Sequence, residues 1–168
     1  MSEIVTQEMD DDVEDNNENL QMESETPPGR GMARDPFVLT LPEHMVWMSR
    51  YADLTRNLVF VLEDDIVVPQ NLRLSGGALL RLQFNGNGHT LTLNSNRPLF
   101  SGIGADSVVQ NIVIAGSISG SGNQTAALTW NNRGTLRNIE LTASLNEVSR
   151  YTGALVGINH GTIRNVTV

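Results

Sequence analysis

Cysteine is absent from this 168-residue chain, and so is lysine. The first absence excludes disulfides and thiolate metal sites while leaving the redox compartment open. The second leaves all eleven basic residues as arginines, a bias with no physical explanation in the sequence. No stretch approaches the roughly 20 apolar residues that a membrane-spanning helix needs. The start, MSEIVTQEMD, has neither a basic n-region nor an apolar h-region, so no secretory signal peptide is read there. Basic charge is missing altogether between Met1 and Thr26, which hold ten of the nineteen acidic residues. The formal net charge of −8 therefore belongs to a tail, and the remainder, with nine acids against eleven arginines, is near neutral. That tail is poor in apolar residues, dense in like charge, and followed by Pro27-Pro28-Gly29. Such a segment cannot bury enough surface to offset its ordering entropy, so residues 1–34 are expected to form a disordered acidic tail. It reads as an interaction tail or, better supported by composition, a solubilising leader or an unrelated N-terminal extension. Repelling phosphates, it argues against nucleic-acid binding.

What remains has room for one ordinary domain. TLPEHMVWMSRYADL is the one strong helix candidate. Thr40 and Glu43 have capping-box spacing, Pro42 falls in the permissive first turn, and Met45, Met48 and Ala52 share a stripe widened by Val46 and Trp47. A short amphipathic helix before a β-rich region is expected to lie over exposed apolar surface, so residues 35–59 are read as an N-terminal cap. After Asn57 the pattern becomes β-like. LVFVLEDDIVV, LLRLQF and HTLTL are β-branched or alternating, and NGNGH between the last two is a turn. GSISGSG reads as Gly/Ser turn material; no helix follows it, so it is no phosphate loop.

The chain then repeats itself. Asn111, Asn138 and Asn165 are spaced by 27 and 27 residues, as are Val109, Leu136 and Ile163, then Ile112, Ile139 and Val166, then Ile114, Leu141 and Val168. Leu128 and Leu155 keep the period, and so do Gly134 and Gly161 inside NRGT and NHGT. The period is too short for a helix pair with a strand, but it suits a coil of three short strands. Stacked in parallel ~4.8 Å apart, such coils form a parallel β-helix over residues 60–168, with about four coils. Parity adds detail. The Ile112 and Ile114 columns should point inward, and the Val113, Glu140 and Thr167 column outward. Val109, Leu136 and Ile163 can also be inside only if the chain bends at each asparagine, a residue that tolerates left-handed backbone angles. The three asparagines are therefore expected to form a structural ladder, turned inward and bonded amide to amide.

The phrases GALVGINHGTIRNVTV, PLFSGIGADSVVQNIVI and FNGNGHTLTL resemble the GLUG-motif repeats of bacterial surface and secreted proteins. DPFVLTLPEHMVWMSRYADLTRNLVFVLEDDIVV resembles the cap that opens such regions. The resemblance spans about Asp35 to Val168. Trp130 departs from it, standing where the last copy has Gly157, and Ala127 and Ala154 stand where glycine is usual. It implies a right-handed parallel β-helix, an extracellular or cell-surface setting and adhesive roles, with no catalysis by the repeats.

Chemistry-bearing residues are sparse. Glu63, Asp64 and Asp65 cluster, but the Asp of the Asp-Ile phrase suits a structural bond to a neighbouring turn better than calcium. His44, His89 and His160 show no ligand-spaced pair, so neither a metal nor a cofactor is expected. Trp130 is the best partner contact, by stacking on a sugar, with packing on the next coil as the competing use. Arg137 and Arg164 recur one coil apart as a candidate anion stripe or a solvated face. The sequon at Asn165 lies in the repeat core and reads as coincidence, and a second begins at Asn123. Only Glu140 breaks the uncharged outer column, which favours a non-catalytic adhesion or spacing module, binding glycan or a surface protein, over the N-terminal part of a pectate-lyase-like polysaccharide-degrading enzyme. The repeat stops within a strand, which suggests either the opening piece of a longer solenoid or an open C-terminal coil making end-to-end contact.

Overall fold

A computed structural model describes residues 23–75, 79–120, 124–146 and 151–168. Within them the chain winds as a parallel β-helix. One face stacks six strands in parallel: β1 (Phe37–Leu39), β2 (Leu58–Leu62), β4 (Leu82–Asn85), the start of β6 (Val108–Ser119), β9 (Thr135–Leu141) and β13 (Thr162–Thr167). A second face stacks β3 (Ile66–Val67), β5 (Thr90–Ser95) and the rest of β6, with the ends of β9 and β13 and with β10 (Ser144–Asn146). The third joins Leu74, Phe100, β8 (Thr129–Asn132) and β12 (Val156–Asn159). A short pair, β7 (Gln124–Thr125) with β11 (Tyr151–Thr152), completes the pairing.

Six rungs make five turns: four lie within residues 60–168, as read from the sequence, and β1 adds a fifth inside the segment read as a cap. The steps are not uniform. Phe37 pairs with Phe60, Phe60 with Phe84, Phe84 with Val109, Val109 with Leu136 and Leu136 with Ile163. The steps lengthen from twenty-three residues to twenty-seven, and only the last two are equal. A period search therefore sees the end of the solenoid and misses its beginning.

The tube is filled by columns, because parallel pairing places each inward side chain over its counterpart one rung away. The four phenylalanines of the chain sit together at the capped end. Ring centroids lie 5.5 Å apart for Phe37–Phe60, 6.4 Å for Phe60–Phe84 and 6.0 Å for Phe84–Phe100. Above Phe84 the column continues in the buried aliphatics Val109 and Leu136. The Gly116–Ser119 stretch is not the turn its composition suggested. It extends β6, because Ile118 is fully buried and holds the alternation across the serines.

Helix α1 (Pro42–Arg50) closes the N-terminal end with Met45, Val46 and Met48 buried, and the Trp47 ring 5.0 Å from Phe37. It stops before Ala52, and its start is not capped as the Thr40/Glu43 spacing implied. Leu41 holds the N-cap position and has no polar side-chain atom to offer. The buried His44 reaches back instead, its Nδ1 accepting the backbone N–H groups of Thr40 at 3.0 Å and Leu41 at 3.3 Å. An imidazole nitrogen that accepts twice must carry no proton.

The ordered cap also begins before residue 35. Residues 1–22 of the acidic tail lie outside the described residues, but the chain from residue 23 onward is held to the cap by its backbone. Glu25 N–H donates to Glu43 O, Pro28 O accepts Val38 N–H, and Gly31 O accepts Val59 N–H. Gly29 makes that hook, since its φ of 104° and its contact with Pro36 leave no room for a Cβ.

Burial holds the His44 pKa below its ordinary value of 6.5, against the opposing pull of Glu25 and Glu43. The unfolded chain then takes up the proton first. The stabilisation is complete above about pH 6.5 and falls as pH drops through the range below it. Thermal unfolding of the wild type should therefore soften between neutral and mildly acidic pH. His44→Gln, whose amide oxygen accepts without titrating, should flatten that dependence; an unchanged slope would assign it to other groups.

Candidate binding face

The corners of the tube are set by left-handed asparagines. Asn111, Asn138 and Asn165 have φ of 57°, 54° and 53°. Each turns the strand so that the residue two before it and the residue after it both face inward. Val109, Ile112, Leu136 and Ile139 are buried accordingly. Asn138 Nδ2 donates to Asn111 Oδ1 at 2.9 Å, and Asn165 Nδ2 to Asn138 Oδ1 at 2.6 Å. Asn111 Nδ2 extends the ladder to Asn85 Oδ1 at 3.1 Å, a member the strict period misses because that step is one residue shorter. The amides do not turn inward. Asn111 is half-buried and the other two are exposed, so the ladder runs along an outer edge. The left-handed bend directs the side chain away from the core while the flanking aliphatics fill it.

A second amide ladder starts inside the tube at Asn132. Asn132 is fully buried, its Oδ1 accepting Gly134 N–H at 3.1 Å and its Nδ2 bonding Asn159 Oδ1 at 2.8 Å. Asn159 makes the same loop with Gly161. The paired phrases NRG and NHG, 27 residues apart, carried that signal. One rung earlier the partner of Asn132 is Ile103, so the column changes from aliphatic to amide partway along.

Trp130 lies against the next coil. A Cβ on Gly157 would sit 2.0 Å from its ring, so the missing side chain there is the seat of the indole, and the two residues are complementary. Trp130 is half-buried, with one face covered. Arg137 and Arg164 pair in register on β9 and β13. Arg137 Nε donates to Gln110 Oε1 at 2.8 Å, one rung below. The outward column thus reads Asn85, Gln110, Arg137, Arg164, neutral early and cationic late. On the far side of the asparagine corner, Val113, Glu140 and Thr167 align as the outer column.

The acidic cluster does not converge. Asp65 Oδ1 accepts Thr90 N–H at 2.9 Å and lies 3.3 Å from His89 Nδ1, tying one turn to the next. The Thr90 bond, helped by His89, holds its carboxyl below the usual carboxylate range. Asp64 bonds the Asp65 N–H. No group of three or more His, Asp or Glu side chains is placed to hold a metal ion among the described residues. His44 lies in the cap, His89 in the turn between β4 and β5, and His160 in the turn between β12 and β13. The Asn165 amide of the sequon is engaged in the ladder, and Asn123 falls outside the described residues.

At the C-terminal end, β13 pairs with β9 alone among the described strands, and Ile163 and Val168 are 37% and 78% exposed. No helix of the described residues is long and apolar enough to cross a membrane. Set against known protein families, curated proteins and solved structures, the chain matches none of them.

Proposed function

We propose that the chain is a non-catalytic β-helical module of a cell-surface or secreted protein, offering a stiff extended face for adhesion to glycan or protein partners. The observation that carries this reading is the register. Six strands stack so that outward side chains recur every ~4.8 Å, giving a repeating surface rather than a converging one. Hydrolysis of a glycoside ordinarily calls on two carboxylates about 5–9.5 Å apart. The outer column beside the asparagine corner offers Glu140 between Val113 and Thr167 instead. The likeness of the last copies to GLUG-motif repeats points the same way. The exposed edge of β13, with Ile163 and Val168, suits end-to-end contact with a further coil or a partner.

The test is a glycan array and a set of surface-protein pull-downs with the intact chain, run beside lyase and hydrolase assays on the same polysaccharides. Binding without turnover is expected. Release of unsaturated or reducing ends from any polymer would replace this reading with that of a polysaccharide-degrading enzyme.

A further inference from the structure

We propose that the outward Arg137–Arg164 column, with Arg133 and His160 at the turns leading into it, binds an acidic polysaccharide bearing carboxylates on successive rings. This deepens the reading above and rests on it.

The geometry is unusual for a merely solvated face. Arg164 stands directly opposite Arg137 in a parallel pair, an arrangement of like charges that destabilises a sheet. No carboxylate of the described residues forms an ion pair with Arg133, Arg137 or Arg164. The same column is neutral in the two rungs below, as Asn85 and Gln110. Gln110 accepts from Arg137 Nε, which steadies the guanidinium and leaves both of its terminal amino groups for another acceptor. Arg133 and His160 are exposed at equivalent positions of the two Asn-x-Gly turns, so each of the last two coils supplies a pair of basic side chains. Glu140 lies beyond the asparagine corner and bounds the cluster.

Two arginines on adjacent rungs, their strands ~4.8 Å apart, suit an extended polymer whose carboxylates recur at a similar step, each gripped by a charge-assisted fork. On the arginine side of the asparagine corner the other outward positions of the two strands are Thr135 and Thr162, with Asn138 and Asn165 at the corner itself, hydroxyl and amide groups suited to sugar hydroxyls, while Glu140 and Thr167 lie beyond it. Single-stranded nucleic acid would instead need aromatic platforms for its bases, and the outward positions of β9 and β13 carry none.

Binding of polygalacturonate, of uncharged dextran and of a single-stranded oligonucleotide would be measured with the full chain and with the double variant Arg137→Gln/Arg164→Gln. The wild type should bind polygalacturonate in a salt-sensitive way, and the double variant about tenfold more weakly. The variant should keep or raise its melting temperature, since it loses a like-charge pair, so lost binding would not be misread as lost folding. Absence of polygalacturonate binding by the wild type, or equal binding by the variant, overturns the proposal. So does oligonucleotide binding that matches the uronate in strength and falls with it. Binding of dextran in place of polygalacturonate, unchanged by the substitutions, would overturn this proposal alone and leave the adhesive module standing.

Discussion

Replacing Phe84 by alanine is expected to lower the free energy of unfolding by about 3–5 kcal/mol. Its ring is 1% exposed and lies in the middle of the internal aromatic stack, between Phe60 and Phe100. The strand that carries it is bonded on both edges, to β2 and to β6, so the walls of the cavity cannot close without breaking ladder hydrogen bonds. Phe84→Leu should cost much less, because the same column accepts the aliphatics Val109 and Leu136 in the coils above. Ile163→Ala provides the contrast. That residue occupies the same column at the end rung, is already 37% exposed, and should cost no more than about 1 kcal/mol. Urea unfolding followed by circular dichroism checks all three. A Phe84→Ala loss below about 1 kcal/mol would mean that the stack is not a closed core.

Part of this architecture could be read directly from the residues. The columns at Val109, Asn111, Ile112 and Ile114 recur in sequence because parallel pairing makes each rung solve the same packing problem as its neighbour. The bend followed from parity, since buried residues on both sides of an asparagine cannot lie on one straight strand. Other features were hidden for physical reasons. The early coils are shorter by two to four residues and use phenylalanine where the later ones use aliphatics, so neither spacing nor residue type repeats there. The role of His44 depends on a side chain folding back over its own helix terminus, which a capping-box spacing rule assigns to other residues. The seat of Trp130 is a glycine 27 residues away, which reads as a departure from the repeat until the two coils are stacked. The direction of the asparagine amides was not fixed by periodicity either, because a left-handed residue departs from the alternation that sets every other column.

The same register links fold to proposed function. A solenoid does not gather a site from distant segments; it multiplies one position along an axis. Chemistry therefore enters as a change within a column, as where glutamine gives way to arginine on the outer face or isoleucine to asparagine on the inner one. The inner change satisfies its own polar atoms through Gly134 and Asn159. The outer change leaves charge facing solvent, and that asymmetry is why the outer column is the one assigned to a ligand.

Asn138→Ala is expected to cost about 2–3 kcal/mol, although the side chain is exposed. Two terms contribute. Holding alanine at a φ of 54° carries the left-handed penalty of about 1–2 kcal/mol. Loss of the bonds to Asn111 and Asn165 removes two rungs of the amide ladder at once, each contributing about 0.5–1.5 kcal/mol and less where water competes. Asn138→Gly separates them, because glycine adopts the bend freely but has no amide to stack. It should cost about 1 kcal/mol less than alanine. Equal losses for the two would place the stabilisation in the ladder alone. No loss for alanine would show that the corner needs neither the conformation nor the bonds, and the parity argument for buried side chains on both sides of Asn138 would lose its physical basis. Asn165→Ala, bonded on one side and at the end rung, should fall below Asn138→Ala by about the contribution of a single hydrogen bond.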